Sequence, residues 1–506
     1  MRSGAIILLL LISAVLLCAG CASNVDEQSH TGARTYTDFE GKTVGLITGT
    51  VCGVVIEEDI NGIPAYYSDI SAGVEDVRSG RISGFMADLS VLRVIAGTSG
   101  GEGLKVIPVP KEIFAGPLGA FSMDQAIIDR FNIFLEKLNS DGTLRDIQER
   151  WLINVPDLES SMPDFSLTGE NGHITVATSG TQLPFSYFGA NNELKGYSIE
   201  LVKRFAEFEG KSIEFETMDF PGLIPFVASG RADLGIDGVT ITEERKEVIL
   251  FSESIYDDLL AIIALEALSD SRGAANESEG FIERLRTGIE RNLITDSRWM
   301  LIVDGLGVTM LIAVVSQITG TILGCFICYI LTRKSRPAKL IASLYCGLIR
   351  GTPVVVLLMI TYYIIFGNSN ISNILVAIAA FTMVTGASVG QTLKGAIDTV
   401  DEVEIEAARS IGFSAFRAFL TVTLPQAVRR AMPGYTGGFV ELVKVTAIVG
   451  FIAIQDLTRA ANIIQSRTFD VYFPLLLIAA IYLIITTICI QLFKLAINKI
   501  NGGERK

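Results

Sequence analysis

From Val303 to its end the chain carries apolar stretches at about 303–331, 341–366, 371–393, 433–455 and 470–497. Inside lipid only a helix satisfies every backbone polar group, and each stretch can cross roughly 30 Å of hydrocarbon at about 1.5 Å per residue. Residues 301–500 are therefore expected to form an all-α membrane domain of five helices. Basic residues give its direction. Arg333, Lys334, Arg336 and Lys339 follow the first stretch, and Lys494, Lys499, Arg505 and Lys506 follow the last. Such clusters stay on the cytoplasmic side. Five crossings from an external start end inside, so the two arguments agree. Loop 367–372 is then outside and segment 394–432 inside.

Composition fits a membrane protein with a polar part. Of 506 residues, 49% are hydrophobic and 19% charged, against about 25% charged in soluble proteins. The net charge of −14 comes with no basic stretch suited to nucleic acid. Two histidines, His30 and His173, make a histidine metal site improbable, and no metal ligands are expected. Cys325, Cys328, Cys346 and Cys489 lie in apolar runs, and only Cys52 falls in the polar middle, so no disulfide framework is expected.

Residues 1–21 read as a signal peptide: Arg2, an apolar core from Ala5 to Leu17, then Cys18-Ala19-Gly20-Cys21. The Gly-Cys ending resembles a bacterial lipobox, with Cys21 the lipidated residue and Cys18 where Leu is usual. An uncleaved anchor is the alternative. Either way the following part is exported. Residues 22–35 read as a tether. Residues 36–155 alternate strand-like runs (43–47, 84–87, 105–109) with helix-like runs (74–80, 125–138), an α/β pattern. A Pro/Ser linker fills 156–171. Residues 172–266 are α/β again, with strands at 174–178, 213–217 and 232–236 and helices at 198–208 and 221–229. Residues 267–300 read as a linker and juxtamembrane helix.

The segment Glu406-Ala407-Ala408-Arg409-Ser410-Ile411-Gly412-Phe413, continuing to Leu424-Pro425-Gln426, reads as helix, Gly stop, helix, Pro stop. Phe413, Phe416, Phe419 and Leu420 make its second piece amphipathic. Such a piece could lie on the bilayer or dock in a groove of another protein. The EAA…G…LP order resembles the coupling loop of permease subunits of bacterial ABC importers. Arg350-Gly351-Thr352-Pro353 is similar to a segment of their polar amino-acid group. The resemblance implies docking onto a cytoplasmic ATPase through Glu406, Ala407, Ala408, Gly412 and Pro425, and a dimer of membrane domains. Gly41-Lys42-Thr43 and Gly210-Lys211-Ser212 look like the ends of nucleotide-binding loops. Tyr36 and Phe205 stand where the first glycine is needed, so ATP is expected at a partner subunit and no cofactor is expected in this chain.

The exported segments resemble two halves of a periplasmic amino-acid-binding protein in reversed order. Residues 172–266 resemble the first half through Pro184-Phe185-Ser186-Tyr187, Gly196-Tyr197-Ser198-Ile199, the 219–225 run from Asp219-Phe220-Pro221 to Pro225, and the 238–245 run from Gly238 to Arg245. Residues 36–155 resemble the second half through Gly41-Lys42-Thr43-Val44-Gly45, Thr48-Gly49-Thr50, Ala87-Asp88-Leu89 and the run from Asp141 to Trp151. Either two truncated modules exist or one circularly permuted two-lobed module. The missing pieces are complementary, which favours the permuted module.

A free α-amino acid is a zwitterion, and burying it requires partners for both charges. A guanidinium suits the carboxylate and a carboxylate the ammonium. By resemblance Arg245 holds the ligand carboxylate and Asp88 its ammonium. Thr240 and Gly238 bond the ligand beside Arg245, Thr50 contacts it from the opposite lobe, and Phe220 stacks on its side chain. The ordinary readings are a surface ion pair of Arg245 with Glu243 or Glu247, a cap role for Asp88 and a core role for Phe220. Departures from the family pattern lie at Gln182, which replaces an aromatic, at Ser179 or Thr181 in place of an acid, and at Ile47. Glu441 and Lys444 share a helix face in the fourth stretch. They line a path, or sit at the membrane boundary.

The sequence thus reads as a multidomain importer: an exported α/β two-lobed module joined to an all-α permease, changing no bond of its substrate and so not an enzyme. The alternatives are a ligand-gated channel or receptor with a similar ectodomain, and an importer of other small anions with no use for Asp88.

Overall fold

The computed structural model describes residues 35–98, 101–153, 162–189, 192–266, 286–333, 335–367, 371–468 and 470–502. The expected signal peptide with Cys21, and most of the expected 267–300 linker, lie outside the described residues. Ahead of the membrane helices stand two lobes, each with a twisted sheet. In the first lobe strands run in the order Ile63–Tyr67, Thr43–Ile47, Gly84–Asp88, Tyr256–Leu265, Leu104–Pro108, and Ala115–Leu118 also pairs with Tyr256–Leu265. In the second lobe the order is Ser212–Thr217, His173–Thr178, Leu234–Gly235, Phe121–Ser122, Leu250–Phe251.

The strands ignore the division into residues 36–155 and 172–266. Tyr256–Leu265, at the end of the later segment, pairs antiparallel with Gly84–Asp88 and Leu104–Pro108 of the earlier one. Phe121–Ser122 of the earlier segment joins the sheet of the later one. The chain therefore passes from first lobe to second after Leu118 and returns before Tyr256, and these crossings pair as Leu118 with Tyr256 and Gly116 with Asp258. Two adjacent extended strands form the hinge. Trp151 donates Nε1–H to Glu200 Oε2 at 2.7 Å, and Arg150 and Arg204 each meet the same buried carboxylate at 2.9 Å. A fully buried charge needs such partners, and here they come from both segments. Phe131 and Phe134 of helix Gln125–Ser140 pack on Phe205 of helix Tyr197–Glu209 at 5.0 and 5.6 Å between centroids. The two segments form one unit.

The membrane domain departs from five straight spans. Four helices are long and apolar enough to cross: Trp299–Thr332, Asn373–Asp398, Ala415–Ile452 and the one beginning at Tyr472. The expected second span, 341–366, is a pair, Arg336–Gly351 and Val354–Ile365, bent by 109°. Thr352 between them is extended at φ −104°, ψ 135°, the conformation a residue takes before a proline such as Pro353. Helix Ala415–Ile452 also begins far before residue 433. Pro425 does not stop it: the helix runs through, with a widened turn at Phe419–Thr423. The widened turn lies just before Pro425 and accommodates its missing N–H.

A further helix, Leu457–Thr468, follows the fourth span and lies against both lobes. Asp456 starts it, accepting from Thr458 N at 3.2 Å and Arg459 N at 3.0 Å. Arg231 of the second lobe reaches the membrane domain, donating to the carbonyls of Tyr362 at 2.9 Å and Phe366 at 2.8 Å.

Two outcomes follow from the shared sheets. Residues 35–266 melt as one cooperative unit by circular dichroism, whereas residues 162–266 alone, without partners for Tyr256–Leu265 or for Glu200, give no cooperative transition. The second concerns pH. At the hinge Asp258 accepts from Leu259 N at 2.8 Å and from Ser90 Oγ, and burial lifts its pKa to about 6. Burial raises Asp237 too. Unfolded aspartates titrate near 4. Between these values the folded chain keeps protons that the unfolded chain has released, so stability falls as pH rises through that window. The melting temperature of residues 35–266 accordingly drops from pH 4 to pH 7, and Asp258→Asn reduces the drop.

Candidate functional site

A cleft of about 390 Å³ opens between the lobes, and all six residues singled out from the sequence line it: Thr50 and Asp88 from the first lobe, Phe220, Gly238, Thr240 and Arg245 from the second. Arg245 sits in the short helix Glu243–Lys246, which Thr242 caps by accepting Arg245 N–H at 3.2 Å. Its guanidinium donates to the Thr240 carbonyl at 2.6 Å and, across the cleft, to the Gly49 carbonyl at 2.7 Å. Gly49 has φ +84°, a conformation suited to glycine. Arg245 is not spent on a surface ion pair: Glu243 pairs with Lys246 at 2.7 Å. Burial lowers the Arg245 pKa while Asp88 opposes this, and a guanidinium stays charged throughout.

Asp88 ends strand Gly84–Asp88 and precedes helix Leu89–Gly97, the position where an aspartate usually caps. Its carboxylate makes no capping bond and lines the cleft instead. Burial, then the nearby Asp258 carboxylate, hold its pKa well above the carboxylate range, and Arg245 pulls it back. A cation entering beside Asp88 would favour the ionised form. Thr50 donates Oγ1–H to the Ile47 carbonyl at 2.8 Å. Phe220 is half-buried at the turn Phe220–Gly222. Gly238 is tight, since a Cβ there would lie 2.8 Å from the Phe185 ring and 3.2 Å from Gln182 Oε1. That Gln182 oxygen is buried without a hydrogen-bond partner. Burial and Asp88 push the neighbouring Cys52 thiol up to about 12, leaving it protonated.

On the other side of the membrane domain, helix Glu402–Ser410 is capped by Asp401, which accepts Val403 N–H at 2.9 Å. The chain turns at Gly412 with φ +96°, and Ser414 caps the next helix. This is the helix–Gly–helix read from the sequence. Glu406, Ala407, Gly412 and Pro425 are exposed and Ala408 is buried. Val403, Ile411 and Phe416 are 68%, 76% and 72% exposed, an apolar surface with none of the described residues upon it. Within the membrane domain another cavity, of about 950 Å³, is lined by Glu441 together with Gln317, Arg350, Thr385, Ser388 and Tyr435, and Lys444 does not line it. Among the described residues no cluster of metal-ligating side chains occurs.

Sequence reasoning missed helix Leu457–Thr468. Its signal was available in Asp456 as a cap and in Leu457, Ala460, Ala461 and Ile464 at helical spacing.

Comparison with known proteins gives two family matches. Residues 174–341 match the family of bacterial extracellular solute-binding proteins, family 3, and residues 300–500 match the binding-protein-dependent transport system inner membrane component. The first match begins within the strand His173–Thr178 and does not include residues 36–155. A putative glutamine transport system permease protein of Rickettsia prowazekii (strain Madrid E) is 31% identical over 184 residues, 36% of this chain and 84% of that protein. A probable amino-acid ABC transporter permease protein of Bacillus subtilis (strain 168) is 33% identical over 190 residues, covering 37% and 83%. The L-cystine transport system permease protein of the same organism is 31% identical over 187 residues, covering 37% and 80%. The chain is an integral membrane protein belonging to the ABC-type permeases of amino-acid transport systems, and it carries a solute-binding module in the same polypeptide.

Proposed function

We propose that this chain captures a free α-amino acid outside the cell and passes it through its own membrane domain, driven by a separate cytoplasmic ATPase. The observation that carries the reading is the meeting of Arg245 and Asp88, far apart along the chain, on one cleft between two hinged lobes. Arg245 takes the carboxylate and Asp88 the ammonium. Thr50, Thr240 and Gly238 bond the ligand from either side, and Phe220 packs on its side chain. Ligand carboxylate oxygens replace the carbonyls of Gly49 and Thr240 as acceptors for the guanidinium, so the charges of the two lobes are joined through the ligand. No covalent bond of the substrate changes.

The exposed apolar surface of Val403, Ile411 and Phe416 supports docking of an ATPase subunit, with Glu406, Ala407, Ala408, Gly412 and Pro425 forming the contact. ATP binds there and not in this chain. Two copies pair through their membrane domains, and Glu441 lines the path. Tethering the module gives an effective concentration that reaches about the mM range for a short linker, so a free binding protein is not required.

Arg245→Ala leaves a buried carboxylate unpaired. Ligand affinity measured by calorimetry on the full chain falls by about 2–5 kcal/mol, at least a factor of thirty; near-normal affinity would remove Arg245 from the site. Gly412→Asp puts a side chain at φ +96° and a charge on the docking surface. Ligand affinity stays unchanged while ligand-stimulated ATP hydrolysis by the assembled complex is lost.

A further inference from the structure

The cleft has a neighbour on the side facing the membrane domain. A second chamber of about 620 Å³ adjoins it, and the two share Ile47, Ile70, Val91, Gln182 and Phe220 as common wall. The far wall is Arg459, Asn462 and Ser466 of helix Leu457–Thr468. This helix spans the mouth of the cleft. Arg459 donates to the carbonyls of Ser179 at 2.6 Å and Met218 at 3.0 Å and pairs with Asp219, all in the second lobe. Gln465 donates to Asp69 of the first lobe at 3.2 Å and accepts from Ser71 there.

The chamber carries both signs of charge, with Asp69 and Asp219 against Arg459. It also carries two buried polar atoms with no partner: Gln182 Oε1, on a side chain 7% exposed, and Arg459 Nε, on one 4% exposed. A buried donor or acceptor left unmade is costly and is expected to have a use. One is an acceptor on the wall shared with the cleft, the other a donor on the membrane-domain side. Together they match a small molecule with a hydrogen-bond acceptor at one end and a donor at the other.

We propose that this chamber is a second binding subsite, specific for the same zwitterionic amino acid, where the ligand pauses between the cleft and the membrane domain. The proposal rests on the function given above. On leaving Arg245 the carboxylate would otherwise be unpaired in a closed space, which is costly. Arg459 Nε–H receives it. The ammonium faces Asp69, and Gln182 Oε1 accepts an N–H as the molecule passes Phe220. Nε is the guanidinium nitrogen left for this, because the other two hold the helix to the second lobe.

The test is equilibrium dialysis of the full chain in detergent with each of the twenty common L-amino acids and L-cystine in radiolabelled form. For the amino acid that binds, the chain takes up two equivalents, the second at least tenfold weaker. Asn462→Trp fills the chamber without removing any of the docking bonds above; it keeps the first equivalent within twofold and loses the second. Arg459→Lys retains a positive charge but loses Nε–H together with part of the bonding to the second lobe, and it too loses the second equivalent, so Asn462→Trp is the variant that decides. One equivalent in the unmodified chain, or a second equivalent that survives Asn462→Trp, overturns the subsite while leaving the cleft intact. Binding of none of these amino acids overturns the functional reading and the subsite with it.

Discussion

Everything in the exported part depends on one strand, Tyr256–Leu265. Its Ile262 and Ile263 pair with Met86 and Phe85 on one side and with Ile107 and Val106 on the other, so residues some 150 positions apart share a ladder. A strand bonded on both edges cannot leave without orphaning both rows of backbone groups. The two lobes are therefore tied by the pair of crossings at Gly116 and Asp258. Asp88 and Arg245 stand on opposite sides of that pair. Reversing the order of the halves changes where the chain is cut, not which strands meet.

The same arrangement explains how one chain joins capture to passage. The return crossing ends at residue 266 in the first lobe, and the membrane domain places helix Leu457–Thr468 against both lobes. Arg459 contacts Asp219, next to Phe220, and Gln465 contacts Asp69, one lobe each. A helix anchored in both lobes fits only one separation of them, so its docking depends on the state of the cleft. The apolar residues of the 402–420 segment stand exposed on another face of the membrane domain, leaving that face for a different partner.

Much of this was legible in the sequence because it rests on local rules. Strand Thr43–Ile47 stands where alternation placed it, and Gln125–Ser140 extends the helix read at 125–138 by two residues. The cleft residues were found from motif resemblance and from the requirement that both ends of a zwitterion be paired. What escaped was set by tertiary structure or by punctuation passed over. Tyr256–Leu265 is an apolar run whose partners lie far upstream, so nothing local marks its importance. Thr352-Pro353 bends the second membrane segment by 109°, although its apolar length alone suggested a straight span. Pro425, read as a stop, lies inside helix Ala415–Ile452, just after the widened turn Phe419–Thr423 that accommodates its missing N–H. Leu457–Thr468 is too polar for a hydropathy argument, and its Arg459 is buried only because the lobes cover it.

The central claim is that the cleft recognises both charged ends of an amino acid at once. Calorimetry on the full chain with a bound amino acid, its N-acetyl derivative and its methyl ester tests this most directly. The account predicts binding of the parent and a loss of at least a hundredfold for each derivative, since one removes the cation for Asp88 and the other the anion for Arg245. Equal affinity for either derivative would contradict it.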